Sequence, residues 1–414
     1  MSDVSDQKFE YIIIGGGLAG GNAALEIRNR NKEKSVLLIT SEREYPYDRV
    51  PLSKEYLRGT LSKDKLFLKS AKFYEENSIK VILGKSATRI NPRERSVTLQ
   101  DGSVYRFEKL LIATGGSVKR LNIEGSELSG VHYLRTIEDC DKIKEQASRS
   151  KRVVVIGGGF IGCEVASSLS SIGLETWIVE IAPFLLPMAI DQETGVWLKN
   201  YYERKGVYVL TSTGVKRFLG EEGRVKAVET TTGDVLKTDF VVVGVGIYPN
   251  TQLAQDAGLK VDRGIVVNEY LETTEEGIYA AGDVARFYSP IFSRHLRVEH
   301  YDVAVKQGRI AAANMTGERR AFDVLPYFYS YQFELKIHAY GDLTSKTSIV
   351  RRGALDEKSG FFQFFFNGDV LDGVLSVNKK WDEIKLAREL VLRRAKFENP
   401  SELSNESKSL SEYL

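Results

Sequence analysis

Short, unbroken apolar runs that close on glycine alternate along this chain with stretches whose apolar positions recur every three to four residues. Residues 11–14 (Tyr-Ile-Ile-Ile) form the first run, and a run that short with no polar member predicts a strand buried on both faces. Residues 21–29 follow with Ala24, Leu25 and Ile27 at helical spacing, and residues 36–40 predict a second strand. The same order returns far downstream, with 151–156 as strand, 163–171 as helix and 175–179 as strand. Residues 110–115 and 240–245 predict further buried strands ending in small-residue turns. From about Ala321 the pattern changes. Phe361-Phe362-Gln363-Phe364-Phe365-Phe366, Gly368-Asp369 and residues 370–377 read as an antiparallel sheet. Residues 381–393 predict a helix, and the polar tail 396–414 is expected to be mobile.

Each apolar run of the twin units feeds a glycine turn, Gly15-x-Gly17-x-x-Gly20 in one and Gly157-x-Gly159-x-x-Gly162 in the other. The first glycine permits a tight turn, the second lets backbone approach a pyrophosphate, and the third lets helix and strand pack closely. The residues between the glycines, Leu18 and Ala19 in one turn and Phe160 and Ile161 in the other, are expected to line the cofactor, whose phosphates meet the free N–H groups and positive dipole end of the helix that follows. Each second strand leads to an acid, Glu42 or Glu180, placed to hold the hydroxyls of an adenosine ribose. Two complete units point to two dinucleotides. The alternative is a decayed duplicate kept for packing, but both acids and all the glycines are intact. Ala113-Thr114-Gly115, Gly246 and Gly282-Asp283 mark strand ends. The last lets a carboxylate come close to a polyol chain such as a flavin ribitol. The expected fold class is α/β, with two Rossmann-like dinucleotide-binding domains and a C-terminal α+β domain.

Length and charge narrow the reading. A chain of 414 residues is too long for a single ordinary core. A net charge of +2 gives no bulk field toward nucleic acid or anionic membrane. The start, MSDVSDQKFE, lacks the basic and apolar regions of a signal peptide, and no uncharged run approaches the roughly 18 apolar residues of a membrane helix. A cytoplasmic protein is expected. Cys140 and Cys163 form no C-x-x-C pair. Cys163 opens a helix, which can lower a thiol pKa, but it is expected to be a small packing residue.

With these motifs in place, the chain resembles the FAD-dependent pyridine nucleotide-disulfide oxidoreductases of the glutathione-reductase structural type over nearly its whole length. It is most similar to the branch of oxygenase ferredoxin reductases, monodehydroascorbate reductase and apoptosis-inducing factor. Tyr45-Pro46-Tyr47-Asp48-Arg49-Val50-Pro51-Leu52-Ser53-Lys54 resembles that branch's flavin loop, and Arg297-Val298-Glu299-His300 and Pro326-Tyr327-Phe328-Tyr329-Ser330 look like segments of the last two. The resemblance implies FAD on the first unit (1–118 and 244–320), NAD(H) on the inserted unit (119–243) and an acceptor or interface domain at 321–414. It extends the flavin set to Arg49, Lys54, Ala87, Arg135, Glu299, His300 and Tyr301, and the NAD set to Glu164. No cysteine occurs between Glu42 and Lys54, so the redox dithiol of the disulfide reductases is missing.

The implied activity is that of an NADH:acceptor oxidoreductase. Hydride passes from NADH to flavin N5, then electrons go to a ferredoxin- or rubredoxin-like protein, a quinone-like molecule or oxygen. Lys54, paired with Glu164, is expected to supply positive charge near N5; a buried lysine without a partner would lose that charge. The helix after His300 is expected to aim its N-terminus at the flavin, with Glu299 and His300 near the nicotinamide and the Tyr329 ring beside the flavin. Glu180, followed by Ile181-Ala182-Pro183-Phe184 with no base, favours NADH over NADPH. Arg319-Arg320, Arg351-Arg352 and Lys379-Lys380 could receive an acidic redox protein or simply be solvated surface. Two alternatives remain open. One is an NADH-sensing interaction protein like apoptosis-inducing factor. The other is a monodehydroascorbate reductase-like enzyme, although Val305 and Lys306 stand where an arginine is expected. A homodimer is compatible with each.

Overall fold

Ile12, Ile13 and Ile14 lie buried in the parallel part of a mixed sheet because neighbours flank them on both edges. The computed structural model describes residues 7–414. The start of the stretch read for a targeting signal, residues 1–6, lies outside the described residues. Contacts divide the chain into two units. The first comprises residues up to Asp48, Asp64–Ser117 and Tyr248–Pro326. Its main sheet runs in the order Ile79–Ile82, Val36–Ile39, Gln7–Ile14, Val104–Ile112, Ser96–Leu99, Ala87–Asn91, and Ile278–Ala280 also pairs with Val104–Ile112. In register, Ile14 pairs Ile39 on one side and Ile112 on the other, so the strand ends that carry the first glycine turn are level. The helix Leu18–Arg30 packs on Tyr301–Met315 at close range, since a Cβ at Gly308 would stand 2.2 Å from the Ala19 carbonyl oxygen.

The second unit comprises Arg49–Lys63, Val118–Ile247 and Tyr327–Leu414. Its parallel sheet runs Val207–Leu210, Glu175–Val179, Arg152–Ile156, Phe240–Val243, Val131–Tyr133. The helix Phe160–Ser171 follows the central strand. A separate antiparallel sheet runs Tyr327–Gln332, Leu335–Gly341, Val370–Val377, Phe361–Asn367, Ser348–Arg352, with the helix Trp381–Leu392 after it. The two stretches expected as separate NAD-binding and C-terminal domains share this unit, and so does Arg49–Lys63. Among the described residues no helix is long and apolar enough to cross a membrane.

Several expectations need correction. Both glycine-turn helices start earlier than their apolar spacing indicated, at Leu18 and Phe160, because the third glycine of each motif already lies inside the helix. The strand expected over 240–245 ends at Val243. The C-terminal tail is not left loose. It forms short turns of helix at Pro400–Ser404 and Leu410–Tyr413 and buries Phe397, Leu403 and Leu410. Arg352, read with Arg351 as a surface pair, is buried and clamps that tail. Its guanidinium donates to the carbonyls of Leu403 (3.3 Å), Asn405 (2.7 Å) and Lys408 (2.7 Å). A composition-based reading misses this docking because the tail is held through its backbone carbonyls. Arg352→Ala should therefore release it. Trypsin cleavage at Lys396 and Lys408 is expected to quicken about tenfold or more under native conditions, the equivalent of losing about 1.4 kcal/mol of local stability. Unchanged digestion kinetics would assign the docking to the apolar contacts alone.

Candidate functional site

The first turn is built so that backbone touches backbone. Gly15 sits at φ +113°, and a Cβ there would lie 2.1 Å from the Ala113 carbonyl oxygen. A Cβ at Gly20 would lie 1.9 Å from the Gly15 carbonyl oxygen. Gly17 differs, with nothing within 4 Å of a Cβ built on it. Open space at that glycine is what a pyrophosphate against bare backbone requires. Gly17 is also the N-cap of Leu18–Arg30, and no side chain bonds to the first N–H groups of that helix. They remain available to an anion.

Around this turn the same unit gathers most of the expected flavin residues. The Glu42 carboxylate accepts the Tyr47 hydroxyl at 2.5 Å. Gly84 donates its N–H to the Glu42 carbonyl at 2.8 Å, and Ala87 begins the strand just beyond. Asn250 pins the Ala113-Thr114-Gly115 turn by accepting the Thr114 hydroxyl (2.8 Å) and returning an amide bond to the Thr114 carbonyl (2.9 Å). Gly282, at φ +82°, donates its N–H to the buried Gln307 side chain at 2.8 Å, and a Cβ there would reach within 3.0 Å of the Ala19 Cβ. Asp283 follows directly. His300 caps Tyr301–Met315 with extended backbone, and burial pushes its imidazole down to about 4 against the opposing pull of Asp283. It is neutral at pH 7. Tyr301 is partly exposed at the helix start, and Glu299 pairs with Arg297.

The second unit repeats the turn. A Cβ at Gly157 would lie 2.4 Å from the Gly244 carbonyl oxygen and one at Gly162 would lie 1.9 Å from the Gly157 carbonyl oxygen, while Gly159 again faces open space. Both oxygens of Glu180 are fixed by backbone, Oε2 by the Gly158 N–H (2.5 Å) and Oε1 by the Ala182 N–H (2.7 Å). Each carboxylate oxygen keeps a further lone pair for a ribose hydroxyl. Gly157, Gly159, Glu180 and Gly244 line a cavity of about 460 Å³ that also touches Phe160, Met188, Thr213 and Gly246. Met188 and Thr213 were not foreseen. They come from loops whose composition carries no nucleotide signal. The residues present fit a dinucleotide at each turn.

The structure also brings Lys54 and Glu164 together. Lys54 Nζ lies 2.5 Å from Glu164 Oε2, and both side chains are only 4% exposed, so the pair is desolvated. Ser53 donates to the same oxygen (2.5 Å) and Ser330 to the other (2.6 Å). Arg49 and Arg135, expected at the flavin, belong to this unit, where the Arg49 guanidinium donates to the Arg135 carbonyl at 2.8 Å. Tyr329 is half-buried on Tyr327–Gln332, with ring centroids 6.2 Å from Tyr327 and 5.2 Å from Tyr331. Neither cysteine supplies a thiolate. Burial pushes the Cys140 thiol up to about 12 and raises that of Cys163 well above its ordinary value.

Twin glycine turns, each with an acid beyond the next strand, together with a buried lysine–glutamate pair, fit a flavin- and pyridine-nucleotide-dependent oxidoreductase. The chain belongs to the pyridine nucleotide-disulphide oxidoreductase family, whose pattern matches residues 9–308, and residues 327–414 match the reductase C-terminal family. It is an enzyme that binds FAD and uses NAD(H). It is 37% identical to the rhodocoxin reductase of Rhodococcus erythropolis over 374 residues, 90% of this chain and 87% of that one. Over 408 residues it is 32% identical to the putidaredoxin reductase of Pseudomonas putida, covering 97% and 96% of the two chains. The crystal structure of the ferredoxin reductase for the CYP199A2 system from Rhodopseudomonas palustris is similar at a TM-score of 0.90 and 31% identity, over 97% of this chain and 99% of that one.

The two kinds of glycine at the second turn separate binding from folding. Gly159→Ala adds a methyl group where the protein is empty, so the fold should persist while the half-saturating NADH concentration rises about tenfold or more. Gly162→Ala forces backbone against backbone and should lower thermal stability sharply. Thermal unfolding alongside NADH titration of flavin reduction checks both, and equal thermal losses would contradict the distinction.

Proposed function

We propose that this enzyme is a cytoplasmic NADH-dependent reductase of a small electron-carrier protein of the ferredoxin or rubredoxin kind. In this reading FAD is held by residues 1–118 and 244–320, NADH by 119–243, and the acceptor by 321–414. The supporting observation is that the likeness to rhodocoxin reductase and putidaredoxin reductase runs nearly end to end, through the C-terminal sheet. A rubredoxin-NAD(+) reductase of Pseudomonas putida is also 33% identical over 82% of this chain and 88% of that one. The buried thiols agree, since they leave no dithiol to relay electrons.

FAD, held when bound by the unit that carries the Gly17 turn, would supply the hydride-accepting and electron-donating chemistry between NADH and the carrier. The protein's part is to bind, orient and polarise. Gly17 and Gly159 admit the two pyrophosphates, and Glu42 and Glu180 hold the adenosine riboses. Lys54, paired with Glu164, supplies positive potential where electron density rises on reduction. The N-terminus of Tyr301–Met315, capped by His300, offers a positive dipole end on the unit that carries the Gly17 turn. Tyr329 is assigned to the electron-exit side.

Two outcomes test this. With NADH in excess under anaerobic conditions, an oxidised [2Fe–2S] ferredoxin or a rubredoxin should reoxidise the protein's flavin far faster than oxygen or a quinone does in parallel runs. A reduced form that persists for many minutes with every protein carrier would favour the NADH-sensing alternative.

The donor preference is the second. In NADPH the 2′-phosphate would face the Glu180 carboxylate, and like charges about 4 Å apart repel by roughly 4 kcal/mol at an effective dielectric of 20. Solvent and salt reduce this, so stopped-flow flavin reduction should favour NADH about ten- to several-hundred-fold. Glu180→Ala should narrow the gap. Equal efficiency of the two donors in the parent protein would remove Glu180 from this role.

A further inference from the structure

We propose that Ser330, backed by Gln332 and Tyr202, is a positioning residue that holds Glu164, and through it the Lys54 ammonium, in working orientation. The proposal rests on the role given to Lys54 above. Glu164 accepts three hydrogen bonds, but their origins differ. Oε2 receives Lys54 (2.5 Å) and Ser53 (2.5 Å), two neighbours on one stretch of chain that move together. Among the described residues, Oε1 receives only Ser330, at 2.6 Å, and that hydroxyl comes from a different element, the strand Tyr327–Gln332. The last torsion of a glutamate is broad and roughly two-fold, so without a donor on Oε1 the carboxylate can swing and carry the lysine contact with it.

Ser330 is itself fixed from behind. The Gln332 side-chain amide donates through Nε2 to the Ser330 hydroxyl (3.1 Å), and its side-chain oxygen Oε1 accepts the Tyr202 hydroxyl (2.9 Å). Tyr202 also reaches the Cys163 carbonyl at 2.9 Å, one residue before Glu164. The donors run from Gln332 to Ser330 to Glu164, with the single Tyr202 hydroxyl proton shared between Gln332 Oε1 and the Cys163 carbonyl behind them, and the line ends on the carboxylate. All four side chains are buried. Packing alone does not require this. The same strand shows Tyr327, Tyr329 and Tyr331 on its other face, and an apolar residue at 330 or 332 would fill the buried face without needing partners. Three polar residues on buried positions, each satisfied by the next, are the arrangement of a network that sets an orientation. The strand thus carries at adjacent positions the aromatic ring assigned to electron exit and the hydroxyl that steadies the charge assigned to hydride entry.

The test uses FAD-loaded protein and anaerobic stopped flow, following flavin bleaching by NADH in Ser330→Ala, Ser330→Thr, Lys54→Gln and the Ser330→Ala/Lys54→Gln double variant. Ser330→Ala should lower the limiting rate about tenfold while the half-saturating NADH concentration stays within about two-fold, and Ser330→Thr should restore most of the rate. Because the effect runs through Lys54, Ser330→Ala should cost little further in the Lys54→Gln background. A parental rate in Ser330→Ala, or the same loss in both backgrounds, would overturn the proposal. If Ser330→Ala loses its FAD, Gln332→Met carries the same test. A slowing of about three-fold that vanishes beside Lys54→Gln supports the proposal, and its absence or additivity rejects it. A parental rate in Lys54→Gln itself would overturn both this proposal and the role of Lys54, and is recognised from that single variant.

Discussion

Backbone pressed on backbone is the constraint from which both dinucleotide sites follow. At each turn the third glycine of the motif stands so close to the first that a methyl group would come within 1.9 Å of a carbonyl oxygen. No side chain can intervene, so the helix begins directly on the strand end, and its first N–H groups sit at the level of the turn. The remaining glycines extend the same logic. Gly15 and Gly157 press on the neighbouring strand ends at Ala113 and Gly244, which brings the next loop to the edge of each site. Only the middle glycine is free of neighbours. In both turns the crowded glycines shape the protein and the uncrowded one leaves room for a ligand.

A second constraint explains where Arg49–Lys63 belongs. A lysine and a glutamate removed from water must be paired and hydrogen-bonded or their desolvation goes uncompensated. Lys54 finds Glu164 at the start of the second turn's helix, and the stretch is bound there by other means as well. Ser168 donates to the Ser53 carbonyl, the Cys140 thiol to the Leu52 carbonyl and the Tyr56 hydroxyl to Asp141. A stretch that interrupts the first unit in sequence is therefore a structural part of the second. Chain order and contact part company there because the charge must be buried with its partner.

How much of this the sequence discloses depends on the kind of interaction. The twin turns, Glu42, Glu180 and the strands around them are legible because glycine spacing and apolar runs are local. The Lys54–Glu164 pairing was reached through family resemblance, since the two residues are far apart in sequence and neither is unusual alone. Ser330 and Gln332 escaped notice because alternation in Tyr-Phe-Tyr-Ser-Tyr-Gln looks like a strand with a polar face, whereas here the Ser and Gln positions are the buried ones. The tail escaped for a related reason. Arg352 holds it by its carbonyls, and carbonyls are the same in every sequence.

Glu42 and Glu180, the acids proposed for the two riboses and equivalent in sequence, are held in different ways. Glu42 is bonded by the hydroxyl of Tyr47, a side chain only 2% exposed, in a loop bridged to Phe67. The Tyr47 hydroxyl, on a side chain that must itself stay packed, is thus one of the contacts that orient it. Glu180 depends on nothing mobile. Two backbone N–H groups fix its two oxygens, and the cavity beside it is open, with Ile181 and Met188 largely exposed. A carboxylate set by main chain need not reorganise each time a ligand arrives or leaves, so little of the binding free energy is lost to ordering it. Main-chain anchoring of a carboxylate is found at Glu180, on the stretch proposed above to receive NADH, the dinucleotide that must enter and depart in every turnover.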